Sequence, residues 1–394
     1  MSASQTAASL RPFGTSIFAE MTALAIEHKA VNLSQGFPDF DGPEFVLSAA
    51  VRAINQSHNQ YAPMPGLLAL REAVAASWHA HTGLAADPVS EITITSGCTG
   101  ALAAAMLGLC NPGDEVVMFE PFYDAYRPDC AMAGAVPRHV ALRPRDGRFV
   151  YDRAELEAAF TGRTRAILLN TPHNPTGKVF TRAELEHIAR LCVLHDCLAI
   201  TDEVYERLTF EPDCPHISLA TLPGMRERTL TLSSLGKTFS LTGWKIGWAI
   251  GAPPLTSAIR AAHQFLIYCN PAPLQIGAAE ALRNGHEYVV RLQHQYADAR
   301  RMLSDVLADV GFDVLRPEGT YFIMCGHARV AERLGVRTDV ELCRILTRDF
   351  GVAAIPPSAF YHDPADGAGL LRFAFCKTTA TLNEAARRLR KIPR

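Results

Sequence analysis

Apolar and polar positions follow two rhythms along the first two thirds of this chain. Short apolar runs rich in β-branched residues occupy 92–95, 115–119, 166–169, 198–201, 229–232 and 246–250, the pattern of strands buried on both faces of a parallel sheet. Between several of them lie stretches of helical period, such as 100–109 and 181–195. In the second, Leu185, Ile188, Ala189 and Cys192 fall at i, i+3, i+4 and i+7. Alternation of this kind from residue 44 to residue 262 predicts an open α/β sheet with helices on both faces.

After Pro271 the pattern changes. A long helical stretch over 275–309 leads into short strands at 312–315 and 321–324. Further helical residues follow, then strands at 352–354 and 370–375. A final helix is expected to start near Thr381, where Thr381 and Glu384 have capping-box spacing. At 394 residues the chain exceeds the size at which one core usually stops growing. Two domains are therefore expected: a large one over 44–275 and a smaller α+β one over 276–394. Residues 1–43 form an N-terminal arm and part of the smaller domain. The Pro/Gly-containing loops 37–43 and 356–366 are candidates for lining a site.

Composition narrows the function classes. The formal net charge is -2 with both signs interspersed, which argues against a nucleic-acid surface or a polybasic membrane patch. No apolar run approaches the ~18 residues needed to span a bilayer. The Ser/Ala-rich residues 1–11 lack the apolar core of a secretory signal, so a cytoplasmic protein is expected. The ten cysteines contain no C-x-x-C pair, and Cys192 and Cys197 do not have zinc-ligand spacing. Free buried thiols in a reducing compartment, and no metal, are the expectation.

Five segments carry candidate chemistry. Ser233-Ser234-Leu235-Gly236-Lys237-Thr238-Phe239 contains Gly-Lys-Thr, but a P-loop needs glycine where Thr231 stands. Lys237 closely follows an apolar strand, and ligand crevices of α/β sheets open at strand C-terminal ends. A lysine there can lose solvation and become a Schiff-base nucleophile; the alternative is a surface lysine in a turn. Asp202-Glu203-Val204-Tyr205 likewise follows a strand; Asp202 either caps the next helix or pairs with a protonated pyridine nitrogen. Asn170-Thr171-Pro172-His173-Asn174-Pro175-Thr176-Gly177 reads largely as turn chemistry, with Asn174 as a neutral donor. Ser96-Gly97-Cys98-Thr99-Gly100 opens a helix with free backbone N–H groups suited to phosphate. Arg372 interrupts the apolar strand 370–375 and needs an anion, either an internal carboxylate or a substrate carboxylate gripped bidentately.

Taken in chain order and with their spacing, the five segments resemble the fold-type I pyridoxal-phosphate aminotransferases of class I, over residues 13–390. The stretches Asn32-Leu33-Ser34-Gln35-Gly36-Phe37-Pro38-Asp39-Phe40, Asn59-Gln60-Tyr61, Glu120-Pro121-Phe122-Tyr123-Asp124 and Lys237 through Trp248 resemble the glutamine transaminase K / kynurenine aminotransferase branch. Bacterial methionine and N-succinyl-diaminopimelate aminotransferase-like sequences share much of that pattern.

The resemblance implies an α/β fold-type I transferase with a large domain, a mostly parallel sheet flanked by helices, and a smaller α+β domain. It implies pyridoxal 5′-phosphate as cofactor, with Lys237 as its covalent anchor and, with Asp202 and Tyr205, the catalytic set. The amides of Cys98 and Thr99, with Ser234 and Lys245, would hold the phosphate; Tyr123 would stack on the ring, and Asn174, Asp202 and Tyr205 would contact its polar atoms. Gly36, Asn174 and Arg372 would receive the substrate carboxylate. Phe18, Tyr268 and Phe322, with Tyr123, would border a neutral, partly aromatic side-chain pocket. Tyr61 would reach the phosphate of a neighbouring subunit, giving a homodimer with shared active sites. This branch often has an aromatic residue where Thr99 stands, and the animal enzymes have tryptophan near Phe18 and an aromatic–His pair at Tyr268-Cys269.

The implied reaction moves the amino group of a neutral or aromatic L-amino acid, such as Gln, Met, Phe or a kynurenine-like donor, to a 2-oxo acid by a ping-pong mechanism. Alternatives are β-elimination from cysteine S-conjugates and a biosynthetic aminotransferase of the N-succinyl-diaminopimelate kind. A pyridoxal-phosphate-binding regulator would carry a fused basic DNA-binding segment, and none precedes Phe13.

Overall fold

The computed structural model describes residues 6–14 and 16–393; residues 1–5 of the expected N-terminal arm lie outside them. Its centre is a seven-stranded sheet. In chain order the strands are β1 (Ile92–Ser96), β2 (Glu115–Glu120), β3 (Val136–Ala141), β4 (Thr164–Asn170), β5 (Leu198–Asp202), β6 (Thr229–Ser234) and β7 (Ile246–Ile250). Their order across the sheet is β1-β7-β6-β5-β4-β2-β3. Every position of β2 and of β7 is buried, as expected of strands covered on both faces.

Two readings of the sequence need correction here. β7, taken as another parallel strand, runs antiparallel to both β1 and β6. The segment from Leu235 to Lys245 holds only a one-turn helix (Leu235–Thr238) and a short 3₁₀ turn (Thr242–Trp244). That is too little chain for the crossover a parallel return requires. β3 was not recognised as a strand at all. It contains Pro137 and lies at the sheet edge, the one place in a sheet where proline is readily tolerated.

The helical stretch predicted over 275–309 is two helices, Ala272–Asn284 and His286–Asp309, broken at Gly285. A Cβ on Gly285 would stand 2.3 Å from both the Ala281 carbonyl oxygen and the Phe239 ring. Ala278, Ala279 and Ala281 of the first helix pack into the same core as Val46, Leu70 and Trp78. The helix Arg182–Leu194 has a capping box between Thr181 and Glu184. The last helix is capped by Thr378 rather than Thr381, because Thr378 accepts from the Thr381 amide, one turn earlier than the sequence suggested. Asp39 holds this end, accepting from the Thr378 amide at 2.6 Å.

Beyond residue 310 a three-stranded antiparallel sheet (Asp313–Val314, Phe322–Gly326, Leu370–Ala374) shares a core with Met21 and Leu33. Val31–Asn32 pairs in parallel with Val352–Ala353, so the N-terminal segment is tied to the C-terminal third. Among the described residues, no helix is long and apolar enough to cross a membrane. Filling the contact at Gly285 should be costly: Gly285→Ala should lower the unfolding free energy by about 1–3 kcal/mol, measured by urea denaturation. Unchanged stability would show that the helix break tolerates a side chain.

Candidate active site

At the C-terminal ends of β4, β5 and β6 lies a cavity of about 270 Å³. Ten of the residues singled out from sequence line it: Gly36, Cys98, Thr99, Tyr123, Asn174, Asp202, Tyr205, Ser234, Lys237 and Lys245. Arg372, Phe18 and Phe322 stand beside it as one cluster. Tyr61 and Tyr268 do not line it; they pack edge to face with centroids 5.7 Å apart.

One wall is an anion cup. The helix α1 (Gly97–Leu109) follows β1 directly, and Ser96 gives it no side-chain cap, so its first amides are free for an anion. Gly97 takes a left-handed φ of +63°, and a Cβ there would lie 3.3 Å from Lys245 Nζ. A Cβ on Gly247 would come within 2.5 Å of the Gly97 carbonyl carbon and 2.8 Å of the Cys98 nitrogen. Backbone therefore packs on backbone where the cup closes. Lys245 itself sits at φ +52°, an uncommon conformation for a side-chain-bearing residue, with Nζ 3.3 Å from Thr99 Oγ1.

The same cavity holds an acid. Asp202 ends β5, is buried, and accepts from the Tyr126 hydroxyl at 2.8 Å. Burial pushes its carboxyl upward, while the Tyr126 bond opposes that shift. Its other oxygen receives the Val204 amide at 3.3 Å, so local capping accounts for only part of its bonding capacity. Tyr205 packs edge-on against Tyr321 at 5.2 Å. Tyr123 is edge-on to Tyr126 at 5.6 Å, and burial raises its hydroxyl to about 12.

Two cations enter without an acidic partner among the described residues. Lys237 Nζ lies 5.7 Å from the ring centroids of Tyr205 and Tyr321. Burial lowers its proton affinity, partly opposed by Cys376 and Asp202. Arg372 is 1% exposed. It donates to Asn174 Oδ1 and to the Ser34 carbonyl, each at 2.9 Å, and its Nε is unpaired. Its guanidinium carbon lies 4.0 Å from the Phe322 centroid and 5.2 Å from that of Phe18. Burial lowers its pKa to about 10. Among the described residues no carboxylate forms an ion pair with Arg372; Asp124 acts on it only through space. The arginine bond also orients the Asn174 amide, taking its oxygen and leaving its NH₂ group for a ligand.

Several contributors escaped the sequence reading. Asn170 accepts the Asn174 amide at 2.7 Å and donates to the Asp202 carbonyl at 2.8 Å, bracing two strand ends. Tyr321 donates to the Gly36 carbonyl at 2.5 Å. Gly247 had a visible signal, a glycine inside an apolar strand, which marks close backbone approach. Tyr126 had none. Replacing Gly247 by Ala should displace the Gly97–Cys98 backbone and weaken binding of a phosphate-bearing ligand at least about tenfold. Equilibrium dialysis checks this, and unchanged affinity would remove the cup from the binding site.

A family model for class I and II aminotransferases matches residues 28–389. The chain is 48% identical over 394 residues to a probable N-succinyldiaminopimelate aminotransferase of Mycobacterium tuberculosis, covering 98% of each. It is 41% identical over 383 residues to the methionine aminotransferase of Escherichia coli, covering 97% of each. The solved N-succinyldiaminopimelate aminotransferase from Mycobacterium tuberculosis superposes with a TM-score of 0.95 at 46% identity, covering 98% of this chain and 100% of that one. Such enzymes work through pyridoxal 5′-phosphate, and the residues present fit it. The glycine-walled cup suits a phosphate, Asp202 a ring nitrogen, and Lys237 a carbonyl. With cup, acid and two uncompensated cations converging on one cavity, the chain belongs to the class I and II aminotransferases and is a pyridoxal-phosphate-dependent enzyme.

Proposed function

We propose that the enzyme takes the amino group from a neutral or aromatic L-amino acid and passes it to a 2-oxo acid in two half-reactions at one site. The observation that carries this reading is Arg372, a buried cation held only by neutral partners beside Lys237. A substrate α-carboxylate supplies the missing charge in a bidentate contact. Phe18, Phe322 and Phe360 pack around the guanidinium and support a partly aromatic, uncharged surround for the substrate.

In this reading the amides of Cys98 and Thr99, with Ser234 and Lys245, hold the cofactor phosphate. Tyr123 covers the ring, Asp202 keeps the ring nitrogen protonated, and Asn174 and Tyr205 donate to the ring oxygen. Bound pyridoxal phosphate supplies a carbonyl for the amine and an electron sink for the bond to Cα. Lys237 anchors it covalently. Released by substrate, Lys237 Nζ accepts the proton from the substrate Cα and gives it up again within the same half-reaction. Burial suits Lys237 to this, because an amine of lowered proton affinity is more often free to act as base. The first half-reaction would release a 2-oxo acid while the amino group is retained at the site, and a second 2-oxo acid would collect that amino group in the reverse sequence.

A homodimer belongs to the same proposal. Tyr61 is 84% exposed and Tyr268 46%, with Phe265 at 86% nearby. A second copy would cover this apolar patch and place Tyr61 at the phosphate site of the partner subunit. We further read 44–275 as the large domain and 276–394 with 1–43 as the smaller one. The shared core of Met21 and Leu33 with the C-terminal third supports that division. The ten unpaired thiols support a reducing, cytoplasmic setting.

A second reading draws on the 48% identity to the probable N-succinyldiaminopimelate aminotransferase, and assigns a succinylated diamino acid as donor. A half-reaction screen separates the two. Purified enzyme is mixed with Met, Gln, Phe, kynurenine and N-succinyl-L,L-diaminopimelate in turn, and loss of cofactor absorbance is followed. Fastest conversion with a neutral or aromatic amino acid supports the first reading; conversion only with the succinylated compound supports the second. Release of pyruvate, thiol and ammonia from a cysteine S-conjugate without an oxo acid would instead identify β-elimination.

Lys237→Ala should abolish transamination while the fold persists by circular dichroism. Arg372→Lys should lower kcat/KM by about 10- to 100-fold, mostly through KM. In the cofactor-free protein, condensation of Lys237 with added pyridoxal phosphate should speed up as pH rises. It should level off below the ordinary lysine range, because the lowered pKa leaves the amine unprotonated above it. A plateau only at the ordinary lysine value would show that burial does not tune this amine.

A further inference from the structure

A second cavity, of about 410 Å³, lies on the far side of the one-turn helix that carries Lys237. Its volume falls within the ~300–1,000 Å³ usual for small-molecule sites. Ser234 lines both this cavity and the active site, so the two are separated by little more than the Lys237 segment. The walls are mainly apolar: Ala73 from the helix Leu68–Thr82, Leu235 and Phe239, Trp248 from β7, and Val289.

The polar groups here are of both signs, and they do not pair with each other. Glu206 accepts from the Ser233 hydroxyl at 2.6 Å and has no ion-pair partner among the described residues. Burial pushes its carboxyl up to about 7, opposed by the neighbouring Arg207 and His216. Arg207 has no carboxylate partner either; it makes two long contacts to Ser77, at 3.3 Å and 3.4 Å. Arg283 and His286 stand exposed at the cavity edge. A carboxylate that carries this burial cost is favoured by an added cation, and a weakly held guanidinium by an added anion. A ligand bearing both charges close together on an uncharged body satisfies both, and the apolar walls take the rest.

We propose that this cavity is a second site for a neutral α-amino acid in its zwitterionic form, with its ammonium at Glu206 and its carboxylate at Arg207. It is separate from the substrate site, and neither residue contributes to the chemistry proposed above. Because Ser234 forms a wall of both cavities, an amino acid bound here sits against the segment that presents Lys237 and the phosphate ligand Ser234.

The test uses holoenzyme whose active site has first been blocked with aminooxyacetate, which traps the cofactor carbonyl. This protein is titrated with L-phenylalanine, L-leucine and L-methionine by isothermal calorimetry. At least one should give a saturable event at one site per subunit. Arg207→Gln should weaken that event at least about tenfold. So should Ala76→Phe, which fills the mouth from an exposed position on the helix Leu68–Thr82. Ala76 is remote from the chemistry, so Ala76→Phe should keep its transamination activity when unblocked. No saturable binding of any of the three, or binding unchanged in Ala76→Phe, would overturn the site. In that event unblocked transamination, measured in parallel, still reports on the proposed function independently.

Discussion

The buried guanidinium of Arg372 is the interaction on which the geometry of the site depends. It joins three distant parts of the chain: the strand Leu370–Ala374, Asn174 beyond the end of β4, and Ser34 beside the strand Val31–Asn32. All of its hydrogen-bond partners are neutral, and Asp124 offsets the charge only through space. Removing a cation from water without a counter-charge is costly, and the aromatic faces around it recover only part of that cost. Lys237 is in the same condition, and Asp202 is the acid they share the cavity with. Such a pocket carries more positive than negative charge on the side chains that line or border it.

Local conformations show the same trade between stability and preparedness. Lys245 holds a left-handed φ of +52° at the start of β7, a position where glycine would be the easier residue. Lysine stands there instead, and its amine reaches Thr99 at the cup, 3.3 Å away. Gly97 and Gly247 make the complementary choice: Gly97 takes the left-handed φ that glycine adopts freely, and Gly247 gives up a side chain so that two backbones can touch. The Asp202 carboxyl is braced by Tyr126, whose ring also packs against Tyr123. Tyr126 therefore links the acid to the aromatic wall of the cavity.

Much of this could be read from sequence because it is local. The strands β1, β2, β4, β5, β6 and β7 announce themselves as apolar runs; Asp202 closes β5, and Lys237 and Asn174 lie within one turn of the ends of β6 and β4. Chain direction is not local, so the apolar run of β7 does not reveal that it lies antiparallel to its neighbours. Nor is an edge strand that carries Pro137 and Arg138 recognisable by hydrophobicity. Arg372 was legible as a cation in an apolar strand, but whether its anion was internal depended on which residues the fold brings near it. Tyr126 was invisible for the same reason, since its hydroxyl acts on a residue 76 positions away.

The antiparallel placement of β7 also bears on the order in which the site can come into being. Among the described strands, β1 pairs only with β7. Residues 92–96 therefore cannot join the sheet until residues 246–250 are present and in place. Closing so long a loop before any of its contacts form is slow. During synthesis, a nascent chain that has emerged only to β6 can already pair β2 through β6, but its anion cup lacks the wall formed by Gly247. The anion cup is thus a late structure in the life of each molecule, completed only after the strand bearing Gly247 leaves the ribosome.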